Sequence, residues 1–258
     1  MPDPVSDHYA NLLARHYSWM FGLSFAEKVA EQHAILEPLL KEAPRGPAVD
    51  LGCGPGYQSM ALIELDFNPI QAIDISDELL REFIPHIGRL PIDLHCADIL
   101  SVNEIVIPET AAVIVCMGDT LTHLPSLDAV RGLFASAAKA LALGGLFILT
   151  WRDLTPELKG PDRFIPVRAT GDRIMTCFLE YLSPTTVQVH DLVYTRNLIG
   201  NPATAAWTLE KSSYPKLRLS PNQVSQELTA ANLEPNTPPT AGRLSLAVAK
   251  KTTATART

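Results

Sequence analysis

The sequence has no excess of basic residues, no long apolar run and few cysteines. Lys and Arg number 21 against 28 Asp and Glu, so the net charge is -7 at pH 7. Affinity for nucleic acid depends largely on basic side chains that neutralise phosphates. No stretch reaches the roughly 18 apolar residues of a membrane span, and the start of the chain has no basic region followed by an apolar one. We therefore expect no nucleic-acid partner, no membrane partner and no secretion signal, which favours a small-molecule partner.

The four cysteines are widely spaced along the chain, at Cys53, Cys96, Cys116 and Cys177. Their spacing forms neither a CxxC metal clamp nor a dense disulfide framework. We therefore expect reduced cysteines, a cytoplasmic protein and no metal site.

Apolar residues make up 47% of the 258 residues, which is enough to bury a core. Short apolar runs alternate with helical patterns from residue 47 onward. The predicted strands are residues 48–51, 70–75, 92–97, 111–117 and 146–151. The predicted helices between them are residues 57–65, 77–84 and 127–141, the last ending at Gly144 and Gly145. Apolar strands separated by helices predict a parallel, doubly wound α/β sheet.

The flanking regions have different patterns. Residues 24–40 predict an amphipathic helix with Ser24 as its N-cap. The predicted elements after Trp151 are strands at 173–182, 187–196 and 205–214, a turn at 183–185, a helix from Ser220-Pro221 to about Leu233, and a strand at 244–249. We divide the chain into an N-terminal helical lid (1–45), a core (46–155 and 218–250), an antiparallel insertion (156–217) and a tail (251–258) that we expect to be disordered.

A glycine-rich stretch, Val-Asp-Leu-Gly-Cys-Gly-Pro-Gly at residues 49–56, joins the first strand to the following helix. Glycines let the backbone approach a ligand closely, and the helix N-terminus directs free N–H groups toward it. The dinucleotide fingerprint GxGxxG needs a glycine where this chain has Tyr57, and Asp50 interrupts the apolar strand. The stretch predicts a ligand-binding loop, with a purely structural turn as the alternative.

Asp50 to Gly56 resembles motif I of the class I S-adenosylmethionine-dependent methyltransferases, acidic-x-Gly-x-Gly-x-Gly. The resemblance extends through most of the chain. It implies a Rossmann-like, mostly parallel seven-stranded sheet with one antiparallel member, carrying the antiparallel insertion after its fifth strand. S-adenosylmethionine would lie across the carboxyl ends of the first four strands. The loop residues that the resemblance assigns to this cofactor are Asp50, Gly52, Cys53, Gly54 and Gly56.

The same resemblance assigns residues at two further strand ends. Asp74, after the second strand, would accept hydrogen bonds from both ribose hydroxyls, with Ile75 beside it. Capping of the next helix is the alternative for Asp74. Asp98, after the third strand, would accept from the adenine amino group, and Ile99 would border the ring; a solvent-exposed loop aspartate is the alternative.

The segment after the fourth strand, with Met117, Gly118 and Asp119, resembles the one that passes beside the methionine part of the cofactor and faces the acceptor. Asp119 is a candidate for contacts with the cofactor or the acceptor and for a catalytic role. His123 is a candidate catalytic base, with a structural hydrogen bond to a backbone group as the alternative.

An aromatic segment near the start of the chain resembles the lid of many small-molecule methyltransferases. Its residues Tyr17 and Trp19 are candidate cofactor contacts, because an aromatic face near a sulfonium gains about 0.5 to 2 kcal/mol from cation–π attraction. Packing onto the core without cofactor contact is the alternative.

Alternation in the strand at 187–196 puts five residues on one face, namely Gln188, His190, Leu192, Tyr194 and Arg196. We predict that this face forms a roof over the acceptor. Its substrate-binding residues would be His190, Tyr194 and Arg196, with Arg152 contributing from the strand before the insertion, and His190 is a further catalytic candidate. Exposure to water, or contact with a second copy of the chain in a homodimer, is the alternative.

We therefore expect methyl transfer from S-adenosylmethionine to a small-molecule acceptor by in-line displacement. Residues 117–120 contain nothing like the Asn-Pro-Pro-Tyr or Asp-Pro-Pro-Tyr motif of base-modifying methyltransferases. Protein acceptors remain open, as does a noncatalytic S-adenosylmethionine-binding regulator. An NAD-dependent oxidoreductase is a further alternative, against which Asp50, Tyr57 and Asp98 argue.

Overall fold

The computed structural model describes residues 3–197, 206–236 and 243–252. The chain divides into two compact units. An antiparallel unit contains residues 1–23 and 154–218, and a main-sheet unit contains residues 24–153 and 219–258. The predicted lid, residues 1–45, is thus divided between the two units. Its first 23 residues group with the insertion and the rest groups with the main sheet.

Eight α-helices and eleven strands lie within the described ranges. The helices are α1 (Pro4–His8), α2 (Ala14–Phe21), α3 (Phe25–Leu40), α4 (Tyr57–Glu64), α5 (Asp77–Ile87), α6 (Val102–Ile105), α7 (Leu127–Ala140) and α8 (Pro221–Ala230). The strands are β1 (Ala48–Leu51), β2 (Ile70–Asp74), β3 (Ile92–Cys96), β4 (Ala111–Cys116), β5 (Leu141–Trp151), β6 (Phe164–Ala169), β7 (Arg173–Tyr181), β8 (Thr186–Arg196), β9 (Trp207–Leu217), β10 (Leu233–Asn236) and β11 (Ser245–Lys251). Turns of 3₁₀ helix follow β3 at Ile99–Ser101 and β4 at Thr120–His123.

The main sheet has seven strands in the described residues, in the order β10-β11-β5-β4-β1-β2-β3. Strands β1 to β5 are parallel, and β11 is antiparallel to both of its neighbours, β5 and β10. Every residue of β1 and β4 is buried, as expected for parallel strands covered on both faces. The predicted doubly wound sheet with one antiparallel member is confirmed.

Helix α3 begins at the predicted N-cap. The Ser24 side chain accepts a hydrogen bond from the backbone of Glu27, and the Glu27 carboxylate accepts one from the backbone of Ser24. This reciprocal pair satisfies two donors that a helix start otherwise leaves free. The predicted amphipathic helix is confirmed, with Val29, Leu36 and Leu40 buried.

The boundary between α7 and β5 differs from the prediction. The helix ends at Ala140, and β5 begins at Leu141, so Gly144 and Gly145 lie inside the strand and do not end the helix. The pairing of β5 with β4 is irregular near Ala111. A side chain at Gly145 would place its Cβ 2.9 Å from the Ala111 carbonyl oxygen. Gly145 therefore allows a close approach of two backbones, and a glycine in that role has the same sequence signature as one that ends a helix.

The end of the main sheet also differs from the prediction. Ser220 caps α8 as expected, but the helix ends at Ala230, and Leu233 begins the short strand β10. Asn232 makes the turn between them with a left-handed φ of 59°. The segment Leu233–Asn236 has little strand character of its own, and among the described residues it pairs with β11. Strand β11 includes Lys251, while 253–258, the rest of the predicted tail, lie outside the described residues.

The antiparallel unit is built on a four-stranded sheet in the order β6-β7-β8-β9. The predicted insertion is confirmed, with β6 as a strand that the sequence analysis missed and Ala205 outside the described residues. Leu12 and Leu13, from the helical segment at residues 4–21, pack with Met175 and Val193 on one face of this sheet. None of the described helices is both long enough and apolar enough to cross a membrane.

Candidate functional site

The glycine-rich loop between β1 and α4 has a backbone conformation that requires glycine. The φ angles of Gly52, Gly54 and Gly56 are 76°, 52° and 91°, all in the left-handed region. A Cβ at Gly52 would collide with the side chain of Thr120, and one at Gly56 would collide with the ring of Phe83. Backbone conformation and packing therefore both require glycine at Gly52 and Gly56.

Asp74, the last residue of β2, holds this loop from the neighbouring strand. Its Oδ2 atom accepts a hydrogen bond of 2.8 Å from the Gly54 backbone, and its Oδ1 atom accepts one of 2.8 Å from the Ser76 backbone. The residue is only 8% exposed, and burial raises the pKa of its carboxyl group while the backbone donors oppose that rise. The side-chain cap of α5 is Ser76, which accepts from the Leu79 backbone.

Asp50 points into the protein toward helix α4. It is 1% exposed, and its Oδ2 atom accepts a hydrogen bond of 2.7 Å from the Ser59 hydroxyl. Burial, together with the nearby Asp74, raises the pKa of Asp50 to about 7 against the opposing effect of the Ser59 hydrogen bond. Asp50 thus ties the end of β1 to α4. Its predicted contact with the cofactor stays a prediction.

The carboxyl ends of β2 and β3 present one apolar and one acidic side chain to solvent. Ile75 is 39% exposed although it directly follows a buried strand. Asp98 is exposed and accepts a hydrogen bond of 2.9 Å from the Leu100 backbone, which caps the short turn after β3. Ile99 beside it is buried. An exposed apolar surface beside an exposed acceptor suits an aromatic base with an amino group.

Two consecutive left-handed residues, Gly118 and Asp119, follow β4, with φ angles of 75° and 84°. The Gly118 backbone donates to the Thr150 hydroxyl at 2.9 Å. Asp119 is 7% exposed, and its Oδ1 atom accepts from the Thr122 hydroxyl at 2.9 Å and the Arg152 backbone at 2.8 Å. A left-handed aspartate at a strand end is a strained conformation of the kind that clusters at functional sites.

Comparison with known proteins identifies the family of this segment. Residues 48–145, from β1 into β5, match the family model described as a methyltransferase domain. Over these residues the chain is similar to a methyltransferase domain, and the matched segment includes the glycine-rich loop. No curated protein matches the sequence at a significant level.

Solved structures resemble the whole chain and not only this domain. The CcbJ methyltransferase from Streptomyces caelestis has a TM-score of 0.75 at 15% identity, covering 96% of this chain and 99% of that one. An amino pentose methyltransferase from Micromonospora echinaspora has a TM-score of 0.71 at 17% identity, covering 92% and 96%. A sugar N-methyltransferase from Streptoalloteichus sp ATCC 53650 has a TM-score of 0.68 at 16% identity, covering 95% and 93%. At these identities the likeness establishes the fold alone.

The remaining predicted residues of the main-sheet unit follow β4 and β5. Met117 is buried directly before the two left-handed residues. His123 ends the 3₁₀ turn that begins at Thr120, and its side chain is half-buried. Arg152 is exposed, while its backbone bonds to Asp119. The catalytic role of His123 and the substrate role of Arg152 stay predictions.

Tyr17 and Trp19 belong to the antiparallel unit and pack within it. The Tyr17 ring lies edge-on to Phe21, with 5.2 Å between centroids. The guanidinium carbons of Arg168 and Arg173 lie 5.0 and 4.8 Å from the Trp19 ring centroid. These contacts of both residues lie within the antiparallel unit, and their contact with the cofactor stays a prediction.

The predicted shared face of β8 is confirmed. Residues 187, 189, 191 and 193 are buried, whereas His190 and Arg196 are half-buried and Tyr194 is exposed on the opposite face. The Nε2 atom of His190 lies 2.9 Å from Oε2 of Glu180 on β7. Exposed apolar residues from the adjoining strands share this face, and the sequence analysis did not single them out: Ile174, Trp207 and Leu209.

Sequence reasoning also missed the residues that support the site from outside the motif. Ser59 bonds to Asp50, Thr150 bonds to Gly118, and Thr120 packs against Gly52. These are ordinary polar residues in helices and strands. Only their positions in three dimensions give them a role, so no local pattern could have identified them.

Proposed function

We propose that the chain transfers the methyl group of S-adenosylmethionine to a small-molecule acceptor by in-line displacement. The observation that carries this proposal is the glycine-rich loop, held by Asp74 through the Gly54 backbone at the shared edge of β1 and β2. The methyltransferase family match over residues 48–145 includes this loop and supports the proposal.

The residues at this edge fit the cofactor. A carboxylate has about four lone-pair positions, so Asp74 keeps acceptor capacity for ribose hydroxyls beyond its bonds to the Gly54 and Ser76 backbones. The exposed side chain of Ile75 and the exposed carboxylate of Asp98 suit an adenine ring and its amino group. When bound, S-adenosylmethionine supplies a methyl group activated by a sulfonium.

The chain's own contribution to such a transfer is alignment and exclusion of water. Well-oriented reactions gain about 7 to 11 kcal/mol from positioning. A base adds roughly 10² to 10⁴ in rate when the acceptor must lose a proton, and we propose His123 or Asp119 for that role, with His190 as the remaining candidate. An acceptor amine that is already neutral needs no base.

We propose a small polar acceptor. The structural neighbours include methyltransferases of an amino pentose and of a sugar nitrogen, and the net charge of -7 disfavours a polyanionic partner. Acceptor contacts would come from His190, Tyr194 and Arg196, together with Arg152. The cytoplasmic location inferred from the sequence stays a prediction.

Cofactor identity is tested by thermal unfolding and calorimetry with S-adenosylmethionine, S-adenosylhomocysteine, NAD and NADP. At about 100 Kd, binding stabilises the folded state by about 2.7 kcal/mol. We expect that stabilisation to raise the melting temperature by about 5 to 10 °C for a chain of this size, for the first two ligands only. A response to NAD alone would overturn the proposal.

Two glycine variants link that binding to the loop. Gly52→Ala should abolish it, because its Cβ collides with Thr120. Gly132→Ala is the matched control, since a Cβ at this position of α7 meets no atom within 4 Å, and its binding should equal that of the wild type.

Catalysis is tested separately by measuring S-adenosylhomocysteine formation against a library of small metabolites that includes amino sugars. Turnover with one acceptor class supports the methyltransferase. A protein that binds S-adenosylmethionine tightly and turns over no acceptor would instead be a noncatalytic regulator.

A further inference from the structure

Three buried carboxylates surround the edge of the main sheet where the cofactor is proposed to bind. Asp50, Asp74 and Asp119 lie at or just beyond the carboxyl ends of β1, β2 and β4, which are neighbours in the sheet. Their described partners are hydroxyl and backbone N–H groups. In the described ranges no ion pair joins Asp50 or Asp74 to a basic side chain. This edge therefore has buried negative charge without a matching cation at two of its three positions.

Asp50 is the most deeply buried of the three, and no basic side chain among the described residues shifts its pKa. The groups that face it are Ser59 on α4, Asp74 on β2, Cys53 in the loop and Cys116 on β4. Burial raises the pKa of both thiols well above the ordinary value, so they stay neutral near pH 7. Ionisation of Asp50 therefore adds a negative charge that no neighbouring residue neutralises.

We infer that the buried carboxylate of Asp50 makes the site prefer the cationic cofactor over its neutral product. This inference rests on the proposed function. S-adenosylmethionine carries a sulfonium cation, and S-adenosylhomocysteine carries a neutral thioether in the same place. A charge inside a protein acts beyond contact distance because the interior screens it less than water does. Asp50 is therefore a specificity-determining residue that distinguishes the two ligands by charge without touching the reacting atoms.

The consequence for turnover is weaker retention of the product. Loss of the methyl group removes the positive charge that the ionised Asp50 favours, so the bound product becomes less stable relative to a fresh cofactor molecule. The ratio of the two affinities should then depend on the protonation of Asp50. Because burial raises the pKa of this carboxyl to about 7, the dependence falls near neutral pH.

The sign of the pH dependence follows from linkage. A cation stabilises the ionised carboxylate, so binding of S-adenosylmethionine lowers the pKa of Asp50 and releases a proton. Affinity for S-adenosylmethionine should rise as the pH rises through about 7, and affinity for S-adenosylhomocysteine should not. The α-amino groups of both ligands also titrate, near about 8 for an ordinary amine, so the wild type must be compared with a variant that lacks the carboxyl.

The experiment measures the Kd of both ligands by calorimetry at about pH 6 and about pH 8.5. Asp50→Asn keeps an acceptor for the Ser59 hydroxyl but cannot ionise. The product-to-cofactor Kd ratio should increase between the two pH values by about three- to tenfold more in the wild type than in Asp50→Asn. Asp93→Asn is the control, because it neutralises an exposed acid on β3 of the same sheet that bonds to Gln71. It should behave as the wild type.

A ratio with the same pH dependence in the wild type and Asp50→Asn would overturn the inference and leave the proposed function intact. Absence of binding to either ligand would instead contradict the proposed function. Calorimetry of the wild type in buffers of different ionisation enthalpy gives a second test if Asp50→Asn does not fold. Proton release near pH 7 should then be greater for S-adenosylmethionine than for S-adenosylhomocysteine, and equal release for both would also overturn the inference.

Discussion

The two units of the chain satisfy their buried charged groups in different ways. In the antiparallel unit, Arg218 is 6% exposed and donates to the carbonyl oxygens of Leu154, Thr155 and Ser183, and its guanidinium lies 2.9 Å from the Glu157 carboxylate. In the main-sheet unit, the buried carboxylates of Asp50 and Asp74 have only hydroxyl and backbone N–H partners in the described residues.

This difference distinguishes a buried charged group that stabilises the fold from buried charged groups that are available to bind a ligand. A buried cation surrounded by carbonyl oxygens and a carboxylate has its donors used within the protein, so its role is structural. A buried carboxyl group held by neutral donors has a raised pKa and keeps part of its acceptor capacity, which is the arrangement found at binding sites. Each half of this contrast can be tested by substitution.

The largest expected effect is on the stability of the antiparallel unit. Arg218→Leu leaves three carbonyl oxygens without their donor and Glu157 without its partner, so we expect a loss of about 3 to 5 kcal/mol in the free energy of unfolding. Calorimetric unfolding measures this loss of stability. Arg81→Leu is the control, because its ion pair with Asp77 is solvent-exposed, and it should cost less than about 1 kcal/mol. Equal losses in both variants would contradict a structural role for Arg218.

The next effect concerns cofactor affinity. Asp74→Ala removes acceptors whose hydrogen bonds are each worth about 1.5 to 3 kcal/mol, so affinity for S-adenosylmethionine should fall at least about tenfold. Calorimetry measures the change, and circular dichroism checks that the fold survives. Unchanged affinity would exclude Asp74 from the site.

A modified cofactor distinguishes a ribose contact from support of the loop, since Asp74 also holds the Gly54 backbone. Removal of the 2′-hydroxyl of the cofactor should weaken binding to the wild type by about tenfold and leave binding to Asp74→Ala nearly unaffected. Equal losses in both proteins would show that Asp74 acts only through the loop.

A smaller effect is expected on the exposed face of the antiparallel sheet. Alanine substitutions at His190, Tyr194 and Arg196 should each lower kcat/KM for an identified acceptor by about tenfold, the worth of one hydrogen bond, and leave the cofactor Kd unchanged. Leu209→Ala, beside Tyr194 on β9, is the apolar control. Full activity in all three variants would refute the roof assignment. Sedimentation of the same variants tests the alternative that this face joins two copies of the chain.

The last effect is the contribution of Asp50 to the pH dependence of stability. Its folded pKa of about 7 lies above that of an unfolded carboxyl, near about 4, so the folded state binds the proton more tightly. This contribution to stability is fully present below about pH 4 and is lost as the pH rises through about 7. The melting temperature of Asp50→Asn relative to the wild type should therefore rise by about 10 °C over this range. A constant difference would show that Asp50 does not titrate there.

The sequence by itself determined the main sheet and its glycine-rich loop. Strand β4 is apolar throughout, and the Ser24 cap and the three glycines are signals carried by adjacent residues. Patterns of this kind depend on the preferences of a short stretch of chain, and those preferences agree here with the final fold. The shared face of β8 was predictable for the same reason, because alternation alone fixes it.

Only the tertiary structure decided where side chains find distant partners. Strand β10 pairs with β11, and Gly145 within β5 allows the close approach of β4 and does not end a helix. The grouping of residues 1–23 with the insertion, and the bond between Asp50 and Ser59, likewise join parts of the chain that no local pattern connects. Periodicity specifies which face of an element is buried, whereas the group that meets a buried carboxylate depends on packing across the whole unit.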